Sequence, residues 1–204
     1  KEFRGDTAIL DDGEEIGFDV LVLAVGVRAN TSLLAAAGAK TERGISVDRG
    51  MRTTLPDIYA AGDAVQGYDS SVGTERVLAL LPSAYAEGEC AGVNASGGDM
   101  TLDCEIPMNS IGFFGLHMVT AGAYDGEKTV VGSGESMRTF FIKDGMLRGY
   151  IILGDVAGAG IYTSLIREKT PLETLDLDSL FREPTLAAFP KSYRKKILAA
   201  EEEA

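Results

Sequence analysis

Asp19-Val20-Leu21-Val22-Leu23-Ala24-Val25 is the run that most narrows the folds open to this chain. After its first residue it is continuously apolar, and it is rich in β-branched side chains. A strand with one face in water alternates polar and apolar positions, whereas a strand covered on both faces of a parallel sheet does not. The run therefore predicts a buried parallel strand ended by Gly26, and with it an α/β arrangement. Before it, Asp11-Asp12-Gly13 separates residues 7–10 from 14–16 and reads as the D-G turn of a small hairpin. After it, Asn30 or Thr31 can cap a helix over residues 32–37, which Gly38 closes.

A short strand is expected over residues 44–48, followed by Thr53-Thr54-Leu55-Pro56-Asp57-Ile58-Tyr59-Ala60-Ala61-Gly62-Asp63. Pro56 and Asp57 are turn residues, and residues 58–61 form a brief apolar strand. Gly62 lets the backbone turn sharply or approach a ligand closely. Asp63 then offers an acceptor-only carboxylate at the carboxyl end of a strand, where open α/β sheets bind ligands. A plain strand followed by an Asp-containing turn fits the same residues. Residues 65–74 are polar and contain glycine, which predicts a surface loop. Pro82 suits the first turn of a helix that continues over residues 83–94 and stops at Gly97-Gly98. Ala84, Ala86, Gly88, Ala91 and Gly92 permit that helix to pack closely on a sheet. Its N-terminus also carries unpaired N–H groups and the positive end of the helix dipole.

Composition shifts at Gly97-Gly98-Asp99, which marks an expected domain boundary. Beyond it come β-like runs over residues 110–121, 129–131, 137–142 and 147–153, with Asp144-Gly145 as a hairpin turn and a helix over residues 158–167. Strands first and a helix after predict an α+β module on an antiparallel sheet. His117, between Leu116 and Met118, reads as a strand residue, while Phe113, Phe114, Tyr124 and Tyr162 are core or interface candidates. The tail has a short acidic segment over residues 174–181 and a charged helix over 192–203. That tail carries Lys191, Arg194, Lys195 and Lys196 before Glu201-Glu202-Glu203. Such a helix is a solvated face or packs on another subunit or domain.

The formal net charge of −12 argues against general nucleic-acid binding, which needs a basic surface. Residues 18–27 form the longest apolar run and are too few to span a bilayer, so no membrane association is expected. Cys90 and Cys104 form no C-x-x-C pair and read as buried small apolar residues, in keeping with a reduced, cytoplasmic setting. No G-x-G-x-x-G opens a βαβ unit; Gly158-Ala159-Gly160 lacks a third glycine. The chain starts at Lys1 without a methionine, which reads as mid-sequence.

Taken together, the Thr53–Asp63 stretch, the strand before it and the Ala/Gly helix after it resemble the second flavin-binding signature and its neighbours in the pyridine-nucleotide–disulfide oxidoreductase superfamily. The wording of residues 23–30 and 58–63 looks most like the NADH oxidase, coenzyme A disulfide reductase, nitrite reductase and rubredoxin reductase group. The family usually has proline where Ala29 stands. The resemblance implies an incomplete FAD/NAD(P)-binding, Rossmann-like part followed by an α+β interface domain. The implied segments are residues 1–27 (end of the NAD(P)H domain), 28–97 (last FAD-domain segment), 98–170 (interface domain) and 171–204 (tail). It implies that Gly62 and Asp63 bind FAD, Asp63 at the ribityl chain, and that backbone around Pro82, Ser83 and Ala84 faces the pyrimidine end of the isoalloxazine. Gly26 would lie near the nicotinamide, and any redox cysteine would lie upstream. The implied activity is hydride transfer from NAD(P)H to FAD and on to a disulfide, oxygen or a redox protein, in a homodimer paired through the C-terminal domain. The alternative is a non-catalytic subunit-pairing fragment that binds no flavin by itself.

Overall fold

The computed structural model describes residues 1–103 and 105–200, excepting the side chains of residues 196–200. Cys104, the Lys196 side chain and Glu201-Glu202-Glu203 lie outside the described residues. The chain is a mixed α/β protein. Its first strands, β1 (Glu2–Arg4), β2 (Thr7–Ile9) and β3 (Glu15–Gly17), form an antiparallel sheet in that order. The β2–β3 turn is the expected one: Gly13 has φ +92°, and Asp12 Oδ1 accepts from the Glu14 N–H at 3.0 Å. The sequence held no sign of β1.

Residues 19–25 do not form the predicted buried strand. They have irregular backbone and exposed side chains, with Val25 92% accessible. The physical reason is pairing: a parallel strand exists only through its neighbours' hydrogen bonds and the helices that cover it. Among the described residues no strand pairs with this run. Helix α1 (Ser32–Ala36) follows as expected, with Asn30 Oδ1 accepting from the Ser32 hydroxyl at 2.8 Å and Gly38 at φ +91° closing it.

A second sheet runs β4 (Ile45–Ser46), β5 (Val65–Asp69), β6 (Thr74–Arg76). The β4–β5 pairing is parallel and the β5–β6 pairing antiparallel. This corrects the expected surface loop in part: residues 65–69 and 74 are strand, while residues 70–73 form the turn between them. Asp69 and Gln66 are buried with polar partners. Asp69 accepts from the Ser71 N–H at 2.8 Å and the Ser71 hydroxyl at 2.6 Å, and its Oδ2 lies 2.5 Å from Arg76. Gln66 donates to Glu42 at 3.2 Å. The strand predicted over residues 58–61 shrinks to one antiparallel bridge between Arg52 and Tyr59, with Ile58 exposed.

Helix α2 (Leu81–Ala95) carries Pro82 in its first turn and ends where the Gly98 N–H donates to Val93 O at 2.9 Å. Its buried face is Ser83, Glu87, Cys90 and Asn94. Gly88 and Gly92 point into open space, so of the small residues expected against a sheet only Ala84, Ala86 and Ala91 are half-buried. Cys90 joins a core with Ile45, Val47, Met51, Val65 and Leu102.

The rest is a five-stranded antiparallel sheet of β7 (Met108–Phe113), β8 (Leu116–Gly122), β9 (Glu127–Ser133), β10 (Ser136–Lys143) and β11 (Met146–Leu153), in spatial order β7-β8-β11-β10-β9. The run expected over residues 110–121 is a hairpin, folded at Phe114 (φ +48°) and Gly115 (φ +82°). Asp144 and Gly145, both at positive φ, make the expected turn between β10 and β11. Helix α3 (Ala159–Arg167) packs on β11 and β8, and α4 (Leu177–Arg182) and α5 (Lys191–Ala200) complete the chain. Asp176 caps α4, accepting from the Ser179 N–H and hydroxyl. His117 stands exposed on β8.

The core of this half is aromatic. Phe140 stacks on Phe181 with centroids 4.1 Å apart, and Tyr162 lies beside both Phe140 and Tyr150. The Tyr162 hydroxyl donates to Leu180 O at 2.7 Å, so its polar end is satisfied inside the core. Of the aromatics singled out in the sequence, Tyr162 is core, while Phe113, Phe114 and Tyr124 are exposed. Because Phe140 is fully buried and stacked, Phe140→Ala leaves a cavity and should cost about 3–5 kcal/mol of unfolding free energy, read from urea denaturation.

Candidate functional site

Gly62 and Asp63 begin a 3-10 turn, Gly62–Ala64, that enters β5 and packs on α2. Asp63 is therefore at the entry to a strand and not at the carboxyl end of one. Gly62 has φ +80°, a conformation only glycine holds without strain. A Cβ added there would stand 3.7 Å from Ala84 Cβ, so Gly62 faces the first turn of α2. The Asp63 side chain is exposed.

Leu80 occupies the cap position of α2 with no side-chain cap bond, and no acidic residue stands in the first turn. The dipole's positive end is thus uncompensated there by its own side chains. Of the backbone around Pro82, Ser83 and Ala84, proline has no N–H, and the Ala84 N–H donates to Leu80 O at 2.9 Å. The amides of Leu81 and Ser83 are those that helix geometry leaves without an intrahelical acceptor. Leu81 was not singled out by sequence reasoning. A groove of about 460 Å³ opens beside this helix start, lined by Leu80, Leu81, Pro82, Met108, Ser110 and Tyr150 among others.

The structure thus brings Gly62, Asp63, Pro82, Ser83 and Ala84 to one corner. Gly26 stands apart: it lies in the exposed segment that follows residues 19–25, and a Cβ added to it would meet nothing within 4 Å. Cys90 is fully buried, with Sγ 3.3 Å from Met100 O, and burial pushes its thiol up from the ordinary range. It is a packing residue and not an activated nucleophile.

Glu87 is the member of this corner that the sequence did not announce. It is 3% accessible, and its Oε2 accepts the Gly62 N–H at 2.8 Å. Burial pushes its carboxyl up to about 7, against the lowering effect of the Gly62 N–H and with help from the negative charges of Glu105 and Asp63. The available signal was its spacing with Ser83, Cys90 and Asn94, one helical face. That face mixes polar and apolar types, so periodicity did not mark it as buried.

The groups fit a ligand that carries hydroxyls and an anionic or polarisable edge: a free carboxylate, a glycine that admits close approach, and the amide of the exposed Leu81 at a helix start, with Ser83 buried behind it. The sequence profile described as pyridine nucleotide-disulphide oxidoreductase matches residues 1–88. Over those residues the chain is similar to the pyridine nucleotide-disulphide oxidoreductase family.

Individual known proteins are similar to the chain over more of its length. The chain is 29% identical over 180 residues to the NADH-dependent phenylglyoxylate dehydrogenase subunit epsilon of Aromatoleum evansii, covering 84% of this chain and 42% of the relative. It is 34% identical over 154 residues to the rubredoxin-NAD(+) reductase of Alcanivorax borkumensis, covering 72% of this chain and 38% of the relative. Its fold is like that of an FAD-dependent pyridine nucleotide-disulphide oxidoreductase from Desulfovibrio vulgaris, with TM-score 0.73, 23% identity, and coverage of 87% of this chain and 49% of that one. The chain spans less than half the length of each of these three. As a family matter, pyridine nucleotide-disulphide oxidoreductases use FAD and NAD(P)H, and this chain is related to NAD(P)H-dependent flavin oxidoreductases. No helix among the described residues is long and apolar enough to cross a membrane.

A carboxyl whose folded-state value is raised from 4.5 to about 7 stabilises the fold fully below pH 4.5. Between those two values the unfolded chain ionises at Glu87 while the folded chain does not, so stability falls and levels off above about 7. At about 1.4 kcal/mol per unit, the loss is on the order of 3 kcal/mol. Thermal unfolding from pH 4.5 to 8 should show this decline, and Glu87→Gln should remove that share of it.

Proposed function

We propose that this chain supplies part of the FAD site of an NAD(P)H-dependent flavin oxidoreductase. One observation carries the reading: the Gly62–Asp63 turn sits against the uncapped start of α2, so an acceptor and a helix N-terminus share one corner. In this reading Asp63 accepts hydrogen bonds from the ribityl hydroxyls. The Leu81 and Ser83 amides, with Pro82 and Ala84 shaping the turn, face the pyrimidine edge of the flavin ring. Preorganised donors aimed at a developing negative charge need no rearrangement when it forms, which is why a helix start suits that edge. When bound, FAD supplies the hydride chemistry, accepting from NAD(P)H and passing electrons to a disulfide, oxygen or a redox protein. Gly26 falls near the nicotinamide only if residues 19–25 acquire the strand neighbours they lack among the described residues.

The same proposal divides the chain at residues 97–98, with residues 98–170 as a subunit-pairing domain and 171–204 as its tail. The exposed Phe113–Phe114 pair at the β7–β8 tip, with ring centroids 4.4 Å apart, favours pairing through this half in a homodimer. It also supports the alternative of a pairing module that binds no flavin by itself. Sedimentation velocity on the chain should show a dimer that Phe113→Ser with Phe114→Ser weakens; a monomer at every concentration would count against it.

Purified alone, the chain should retain no stoichiometric FAD, because no G-x-G-x-x-G fingerprint supplies a pyrophosphate cradle in it. Added FAD should bind weakly, and Asp63→Ala should weaken it by roughly tenfold or more, the scale of one lost bond to a charged acceptor. Flavin fluorescence titration measures both. An Asp63→Ala chain that binds FAD as the unaltered one does would remove Asp63 from this role.

A further inference from the structure

We infer that Glu87 is a positioning residue for the Gly62–Asp63 corner, and that its proton occupancy sets how strongly the corner holds a flavin. The inference rests on the flavin reading above. Its geometric basis is a carboxyl on the buried face of α2 that reaches across to the turn and takes the Gly62 N–H at 2.8 Å. That bond ties a glycine at φ +80° to the helix, and the next residue is the exposed Asp63. The direction in which Asp63 is offered therefore follows from where Glu87 holds Gly62.

The surroundings make this carboxyl sensitive to protons. Asp63 from the 3-10 turn and Glu105 from the segment before β7 are the charged groups that raise it, and Cys90 lies one turn further along its own helix. The backbone of β5 closes the remaining side: a Cβ added to Gly67 would stand 3.3 Å from Glu87 Oε1. A carboxylate placed among acids and away from water is costly, so the group takes up a proton near neutrality. Both forms can accept the Gly62 N–H, but they differ in field. Ionised Glu87 sets a negative charge in the second turn of α2, where it offsets the positive helix start that would face the flavin edge. Neutral Glu87 leaves that start uncompensated. The corner should thus hold the flavin more tightly at pH 6 than at pH 8.

The test uses the chain itself with Glu87→Gln, Glu87→Ala and Asp63→Ala variants, read by amide NMR and by FAD titration at pH 6 and pH 8. The Gly62 amide resonance should shift with pH in the unaltered chain, with its midpoint near the value of about 7 given above, and stay fixed in Glu87→Gln. FAD should bind several-fold more tightly at pH 6 than at pH 8. Glu87→Gln should keep the pH 6 affinity at both values, whereas Glu87→Ala, lacking the acceptor, should bind weakly at both. A Gly62 resonance indifferent to pH, or a Glu87→Ala chain with unaltered affinity and pH dependence, would overturn the inference while an Asp63→Ala effect left the flavin reading intact. If millimolar FAD leaves the Gly62, Asp63 and Ser83 amides unmoved, the flavin reading fails and this inference fails with it.

Discussion

The buried face of α2 is the constraint on which the first half of the molecule depends, and it is held mainly by polar bonds. Asn94 donates to Gly50 O and Met100 O, both at 2.8 Å, and accepts from the Met100 N–H at 2.7 Å. One side chain thereby satisfies three backbone groups on two separate loops. Two turns earlier Glu87 takes the Gly62 N–H, and the Tyr59 hydroxyl donates to Asn94 O at 3.2 Å. Buried polar groups are tolerable only when paired, so these contacts fix the loops in one arrangement more sharply than an apolar stripe would. The candidate site is a by-product of that clasp. The same helix that gathers the loops presents its uncapped start to the turn it has gathered.

The second half is organised on the opposite principle. Phe140, Tyr150, Tyr162 and Phe181 form a core whose polar needs are few and local: the Tyr162 hydroxyl bonds Leu180 O, and the Tyr150 hydroxyl pairs with Thr163 at 2.8 Å. The junction between the halves is polar again. Arg148 of β11 bonds the carbonyl of Ser71, and the Ser70 N–H donates to Glu105 O at 2.8 Å. The β5–β6 hairpin is therefore one piece of the first half that touches the second, beside the start of α2.

Local chemistry was legible in the sequence and long-range pairing was not. Asp11-Asp12-Gly13 and Asp144-Gly145 announced their hairpins because the turn conformations themselves demand such residues. Gly38 and Gly97-Gly98 marked helix ends for the same reason. The strand over residues 65–69 is not legible in the sequence because polar residues paired with Arg76, Ser71 and Glu42 look like a loop until those partners are known, while the turn over residues 70–73 is legible. Residues 19–25 erred in the other direction, since apolar β-branched composition describes what a strand needs and cannot supply the neighbouring strands. At the site, Gly62, Asp63 and Pro82 could be picked out as residue types with special backbone or charge. Glu87 could not, because its importance comes from where α2 and the 3-10 turn meet.

The exposed Val20–Val25 stretch carries a colloidal consequence. It is a six-residue, uncharged, wholly apolar segment, half of it valine, that pairs with no strand among the described residues, the composition from which stacked intermolecular sheets nucleate. Asp19 and Arg28 bracket it, and charges at the flanks of such a segment act as gatekeepers against stacking in register. The formal charge of −12 adds a repulsion between copies that salt screens within about 8–10 Å. Concentrated salt removes that second safeguard and leaves the segment with its two flanking charges alone, so the ionic strength of the medium governs how long the dispersed chain stays dispersed.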